Sequence, residues 1–282
     1  MATKDYLGLQ RERAQEVVLR LLPSENVPKA LAEAMRYAVS TGGKRIRPLL
    51  VLTASEAAAS DEGDPEAALQ AAATIEYLHS YTLIHDDLPS MDDSSLRRGS
   101  PTVHIKYGEA LAILAGDALQ AHAFDVISQP TKLSPERTNN LVRVLAKAAG
   151  PAGVVGGQVE DIANTPLDAE RLSYIQLHKT ADLFKASMLL GAIAGGGTDD
   201  EIEALGHYGE ALGVAFQIID DILDADEENE EPSCLRLWTV DEAREKAKQF
   251  TTEAVAALST IKGSQATAAL SDLAEQMLTR II

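Results

Sequence analysis

The chain has 282 residues, 45% of them hydrophobic and 24% charged, a balance that supports a sizeable globular core. Its formal net charge of −18 argues against a nucleic-acid partner, whose phosphates demand basic surface, so any phosphorylated ligand must be met by local cations or by a metal. Aromatic residues make up only 4%, and the wealth of Ala and Leu favours helix over strand.

The first residues, Met1-Ala2-Thr3-Lys4-Asp5, carry no apolar leader, and no run approaches the roughly 18 apolar residues of a membrane span. A cytoplasmic protein with no stable membrane anchor is expected. Residues 5–22 repeat apolar side chains at helical spacing (Leu9, Ala14, Val17, Val18, Leu21), which predicts an amphipathic helix. Pro28 opens a second helix through Leu31 and Met35, and Gly42-Gly43 ends it. After Lys44-Arg45-Ile46-Arg47, Pro48 opens a third. Residues 61–64 read as a loop, and Pro65 begins about six turns reaching Leu88. Gly99 and Pro101 make 96–102 a loop. Helices are expected over 107–128 and 134–149, the second with Ser134 as N-cap and Pro135 at its first position. Residues 151–163 look helical in spite of Gly156-Gly157, which cost stability unless close packing or a ligand requires them. One helix is expected over 168–194. Thr198 and Glu201 form a capping box that launches about seven turns through Asp224. The acidic run 226–231, closed by Pro232, reads as loop. The single cysteine, Cys234, excludes an intrachain disulfide framework. Two helices, near 240–261 and 264–280, finish the chain. With no sustained strand alternation, linker or repeat, the expected fold is all-α: one domain, 1–282, of ten or more helices.

Two acidic stretches stand out, His85-Asp86-Asp87-Leu88-Pro89-Ser90-Met91-Asp92-Asp93 and Gln217-Ile218-Ile219-Asp220-Asp221-Ile222-Leu223-Asp224. Each closes a long apolar helix, and a helix C-terminus is the unfavourable end for carboxylates because the macrodipole is negative there. Compensation is needed, and Mg²⁺ is the natural candidate: it takes one or two carboxylates, waters and the phosphates of a substrate. Asp220 and Asp224 share a helix face, while Pro89 stops the first helix and Asp92 returns on the following turn. One such motif alone is usually a solvated charge run; two, both closing apolar helices, suggest a diphosphate bridged by metal. Cations are few, so their clustering matters. Lys44, Arg45 and Arg47 lie at the glycine junction, and Arg97-Arg98 lie just past the first motif. Arginine suits bidentate phosphate contacts. Lys179, within an apolar helix, either snorkels or holds an anion.

Together with Ala115-Gly116-Asp117, Gly156-Gly157-Gln158 with Asp161, and His178-Lys179-Thr180, these stretches resemble the trans-isoprenyl diphosphate synthases, in particular the short-chain bacterial kind similar to farnesyl diphosphate synthase. They run in family order over about residues 30–225. The resemblance implies an all-α bundle around a central cavity, usually a homodimer. It implies a prenyltransferase that condenses isopentenyl diphosphate with an allylic diphosphate, dimethylallyl or geranyl, using about three Mg²⁺ ions per active site. Carried over residue by residue, Asp86, Asp87, Asp92, Asp220, Asp221 and Asp224 become metal ligands. Arg97, Lys179 and Gln217 hold the allylic diphosphate. Lys44, Arg47, His79 and Arg98 hold isopentenyl diphosphate. Lys179, Thr180 and Gln217 flank the developing carbocation. Tyr81 and Thr82 form the floor that limits the product, which is then expected to be farnesyl diphosphate with fifteen carbons. No protein nucleophile is needed, and the departing diphosphate serves as base.

One stretch departs from the family. After Asp224 a longer loop with Gly and Lys is expected, then Tyr-Pro; this chain has the short acidic 226–231 and Cys234-Leu235. A lid without cations closes less well over diphosphates, so a catalytically impaired or regulatory subunit is one alternative. A geranylgeranyl diphosphate synthase is another. A class I terpene cyclase is disfavoured by Asp220-Asp221-Ile222-Leu223-Asp224 and by Lys44 with Arg47, because a cyclase has no use for a second diphosphate site.

Overall fold

The structure, a computed structural model, describes residues 3–129, 131–163, 165–225 and 232–281. The acidic run 226–231, on which the expected lid departure falls, lies outside the described residues. Thirteen α-helices occur among those described: α1 (Thr3–Arg20), α2 (Lys29–Ser40), α3 (Ile46–Ala57), α4 (Pro65–Asp86), α5 (Val103–Tyr107), α6 (Glu109–Ile127), α7 (Pro135–Ala149), α8 (Val154–Asp161), α9 (Ala169–Ile175), α10 (Asp182–Gly195), α11 (Asp199–Leu223), α12 (Val240–Ala257) and α13 (Gln265–Leu278).

Local chemistry sets most of their ends. Asp64 caps α4 by accepting from the Glu66 N–H, and Pro65 fills the first position, where a missing N–H costs nothing. Ser134 caps α7 in the same way. Thr198 and Glu201 close a reciprocal capping box on α11, and Thr239 and Glu242 form a second on α12.

The helix α4 runs through the middle of the molecule, packed by α1, α3, α6 and α10, while α10 and α11 lie against each other and α12 covers α11. Two apolar clusters result. One gathers Tyr77, Leu78, Leu119 and Leu145 around α4 and α6; the other gathers Phe184, Met188, Tyr208 and Ile218 around α10 and α11. Buried Tyr77 and Tyr208 each place their hydroxyl on a main-chain carbonyl, Val18 O and Leu270 O, both at 2.8 Å. This arrangement brings the C-terminal ends of α4 and α11, with their carboxylates, to the same region of the bundle as the start of α3.

Four features differ from the sequence expectation. Gly108, at φ 87, separates α5 from α6 where one helix from 107 is predicted. Residues 96–102 form a minimal hairpin, β1 (Leu96–Arg97) against β2 (Ser100–Pro101), turned by Arg98 and Gly99 with positive φ. The predicted 168–194 helix is interrupted by a π-helical turn, Gln176–Ala181, between α9 and α10. Finally, α6 is long and apolar enough to cross a membrane by length and composition. Its Ala112, Ala115, Leu119 and Ala123 are buried in the α4 cluster, which accounts for part of that apolar character. Ile113 and Leu114 are left exposed, as is Ile105 of α5.

Candidate active site

The start of α3 builds a basic pocket. Arg45 takes the left-handed N-cap position, and α3 begins at Ile46, two residues before Pro48. Proline is tolerated there because the first four helical N–H groups have no intrahelical acceptor. Lys44, Arg47, His79, Arg98, Thr180 and Gln217 are among the residues around a pocket of about 630 Å³. Arg47 Nη1 lies 3.3 Å from His79 Nε2, and its guanidinium stacks 4.8 Å over the Phe184 ring. Burial holds the Arg47 pKa down to about 10, against the attraction of Glu76. Burial, then Arg47 and Arg98, push His79 well below the usual imidazole range, so it is neutral. Arg98 Nη1 donates to Gly42 O at 2.7 Å; Gly42 and Gly43 both hold positive φ, 94 and 119, and a Cβ on Gly43 would also meet the same guanidinium.

The two acidic motifs stand on neighbouring walls. Asp86 ends α4 and Asp87 caps it; Asp92 returns to the helix end through its N–H, 2.9 Å from Asp86 O. Arg97 binds Asp87 Oδ1 through Nε at 2.7 Å and Nη2 at 2.6 Å. Burial first, then Asp92 and Asp161, raise Asp86 to about 7, with Lys179 and Arg97 pulling the other way. Asp87 and Asp92 are raised as well, again chiefly by burial. In the second motif Asp220 meets Arg280 Nη1 at 3.1 Å. Asp224 caps α11, its N–H on Asp220 O at 2.9 Å.

Between these walls sits the π-helical turn, a distortion frequent at functional sites. It carries Lys179, which is ion-paired with Asp161 of α8. Burial lowers the Lys179 pKa, but Asp161 and then Asp86 and Asp92 outweigh it and the net shift is upward. Gly157 permits this approach: a Cβ there would overlap the Lys179 backbone. The glycines of 156–157 therefore serve close packing. Thr180 Oγ1 donates to Gln217 Oε1 at 2.7 Å, Gln217 Nε2 donates to Asp221 Oδ1 at 2.8 Å, and Cys234 N–H donates to Asp221 Oδ2 at 2.8 Å. Lys179, Asp161, Gln217, Asp221 and Asp224 line a second pocket, which shares Gln217 with the basic one.

Of the carboxylates expected to hold metal, Asp87 and Asp221 are engaged by protein donors, and Asp220 is shared with Arg280. Among the described residues no three His, Cys, Asp or Glu side chains converge into a ready metal site. The donor set is all oxygen and lies at two helix ends, which fits Mg²⁺ completed by substrate phosphates rather than an all-protein cage. Tyr81 is buried on α4, edge-on to the His85 ring with centroids 5.8 Å apart, and its hydroxyl makes no hydrogen bond of normal geometry. Thr82 Oγ1 turns back to His79 O at 2.9 Å. Sequence reasoning gave no role to Asp161 or Arg280. The first stands three residues after Gln158, a spacing visible in the sequence; the second carries no local signal, since only tertiary packing brings α13 to α11.

Comparison with known proteins agrees with this geometry. The polyprenyl synthetase family model matches residues 28–235. Geranylgeranyl pyrophosphate synthase 12, chloroplastic, of Arabidopsis thaliana is 46% identical over 237 residues, 80% of this chain and 65% of that protein. The chain thus spans slightly under two thirds of the length of that curated relative. Among solved structures, an FPP/GFPP synthase from Zymomonas mobilis is 36% identical with a TM-score of 0.88, covering 98% of both chains. A geranyltransferase from Legionella pneumophila is 32% identical with a TM-score of 0.89, covering 99% of this chain and 97% of that one.

Proposed function

The chain belongs to the polyprenyl synthetase family, and from that footing we propose that it joins isopentenyl diphosphate to an allylic diphosphate, dimethylallyl or geranyl. The products are a prenyl diphosphate five carbons longer and free diphosphate. The observation that carries this reading is the pair of cation-bearing pockets that share Gln217, one for each diphosphate.

Lys44, Arg47 and Arg98 hold isopentenyl diphosphate, with neutral His79 as a hydrogen-bond partner. Lys179, kept charged by Asp161, takes the allylic diphosphate, and Arg97 joins it by exchanging Asp87 for phosphate oxygens. The carboxylates of both motifs would hold Mg²⁺, which when bound would supply positive charge against the departing diphosphate. Thr180 and Gln217, linked to each other, place their side-chain dipoles between the pockets, where the carbocation develops. The π-bond of isopentenyl diphosphate attacks the allylic carbon. The proton then lost goes to the departing diphosphate, so no side chain acts as base.

For product length, Tyr81 supports a fifteen-carbon farnesyl product. It lies five residues before Asp86 on α4, about 7.5 Å along the axis at 1.5 Å per residue, and it is bulky and buried. A twenty-carbon product is the second reading, favoured by the name of the Arabidopsis relative. The exposed Ile105, Ile113 and Leu114 on α5 and α6 support a homodimer.

The test is incubation of purified protein with Mg²⁺, isopentenyl diphosphate and each allylic diphosphate, followed by product analysis of wild type and Tyr81→Ala. Fifteen carbons from wild type and longer chains from the variant are expected. A twenty-carbon wild-type product, or an unchanged variant, removes Tyr81 from the role. No turnover by folded protein would support a regulatory subunit instead.

A further inference from the structure

The Lys44–Arg47 stretch contains one cation with no task in the reaction just proposed. Arg45 stands between two residues expected to bind diphosphate, yet its guanidinium turns into the protein. Its backbone is left-handed, φ 50 and ψ 40, a conformation that non-glycine residues adopt rarely. The residue is 4% exposed, and its side chain divides its donors among three helices. Nη1 pairs with Glu76 of α4, Nη2 donates to Val39 O of α2, and Nε donates to Gln15 Oε1 of α1 at 2.7 Å.

Glu76 is itself 3% exposed. A buried ion pair seldom contributes more stability than apolar residues of the same volume would, because both charges must leave water. Its place in the fold gives another reason for it. Glu76 lies three residues before His79 on α4, hence on the same face, and Arg45 lies two residues before Arg47. The pair therefore fixes the start of α3 against α4 at the level where Arg47 Nη1 approaches His79 Nε2. Besides His79, Arg47 is held only by stacking on the Phe184 ring, and its Nε is buried without a hydrogen-bond partner. After the cost of burial, the Glu76 carboxylate is also the main influence that keeps Arg47 and Arg98 charged.

We propose that Arg45 and Glu76 are positioning residues for the isopentenyl diphosphate pocket. The buried pair locks the Lys44–Arg47 turn onto α4, and its Glu76 carboxylate is the standing counter-charge beside which Arg47 and Arg98 crowd together before the diphosphate arrives. This rests on the function proposed above, but it concerns two residues that border the pocket with their charged groups turned to each other rather than offered to substrate. Simple charge makes the opposite prediction. A carboxylate beside an anion pocket repels an incoming diphosphate, so its removal would tighten binding.

The experiment compares wild type, Glu76→Gln and the double variant Arg45→Met/Glu76→Leu, whose apolar pair restores packing without charge. Tm, the KM for each substrate and calorimetric binding of isopentenyl diphosphate alone are measured. Glu76→Gln is expected to lower Tm, and the double variant to recover most of the loss. Both are expected to raise the isopentenyl diphosphate KM at least tenfold while the allylic KM stays within twofold. Recovery of Tm without recovery of KM separates positioning from stability, even if Glu76→Gln fails to fold. An unchanged or lower isopentenyl diphosphate KM in the double variant overturns the proposal, as does an equal rise in both KM values. If wild type binds isopentenyl diphosphate without turnover, the proposed reaction fails, and the loss or retention of calorimetric affinity in the variants decides the role of the pair. If wild type does not bind it, the pocket assignment and this role fall together.

Discussion

Asp221 offers the sharpest test of how the site is supported. Its two carboxylate oxygens accept from Gln217 Nε2 and from the Cys234 N–H, each at 2.8 Å. In Asp221→Asn one of those donors faces an NH₂ group, and the remaining bond loses its charge assistance. A hydrogen bond to a charged group contributes about 1.5–3 kcal/mol, which at about 1.4 kcal/mol per tenfold corresponds to a roughly 10- to 150-fold fall in kcat/KM for the allylic diphosphate. Steady-state kinetics with each substrate varied in turn reads this out. Gln217→Leu supplies the second arm of a double-mutant cycle. If Asp221 acts by orienting Gln217, then Asp221→Asn costs less than about threefold in the Gln217→Leu background. Persistence of the full loss there would mean that Asp221 acts on the metal directly. A single variant within twofold of wild type refutes the reasoning altogether.

The pH response follows from Asp86, whose folded-state pKa is raised to about 7, chiefly by burial. A raised carboxylate contributes stability below its unfolded pKa, near 3.9, and loses that contribution as pH rises through about 7. Mg²⁺ needs the ionised form, so the gain in Tm on adding Mg²⁺ should grow between pH 6 and 8 and flatten in Asp86→Asn; a pH-independent gain in wild type counts against it. Separately, Arg47→Ala should chiefly raise the KM for isopentenyl diphosphate, and Lys179→Ala should chiefly impair the allylic step. Equal shifts of one parameter in both variants would remove the two-pocket division.

Helix identity was legible in the sequence wherever caps and periodicity are local, as with Asp64-Pro65, Ser134-Pro135 and Thr198 with Glu201. The acidic motifs and basic clusters were legible because they depart from their apolar surroundings. The π-helical turn at Gln176–Ala181 was not, since its sequence is as helical as that of its flanks. The turn packs closely on α8, where Gly157 meets the Lys179 backbone, a contact that the segment's own sequence does not reveal. Nor were the ion-pair partners legible: Asp161 for Lys179 and Glu76 for Arg45 come from other helices, and Arg280 for Asp220 comes from just past α13. A sequence displays charges, and the fold decides which of them meet.

Those pairings lead to a last consequence. Arg97 on Asp87, Lys179 on Asp161 and Arg280 on Asp220 each pair a cation with a carboxylate in the same mouth of the bundle. On the proposed reading, Arg97 and Lys179 are the groups that must turn to the allylic diphosphate, and Asp87 and Asp220 are among those that must turn to Mg²⁺. An anion alone has to pull cations from their carboxylates and leave these uncompensated; a metal alone has to displace the guanidinium from Asp220 and leave it without a partner. Arriving together, each relieves the cost created by the other. Linkage then requires that diphosphate raise the affinity for Mg²⁺ by the same factor as Mg²⁺ raises that for diphosphate. Coupling of typical size, about 1–3 kcal/mol, corresponds to roughly 5- to 150-fold. Calorimetric titration of inorganic diphosphate at low and saturating Mg²⁺, and the reverse, measures both factors. Arg280→Gln should shrink them, because Asp220 then enters the cycle already free. Full coupling retained in that variant would show that the Arg280–Asp220 contact plays no part in the exchange.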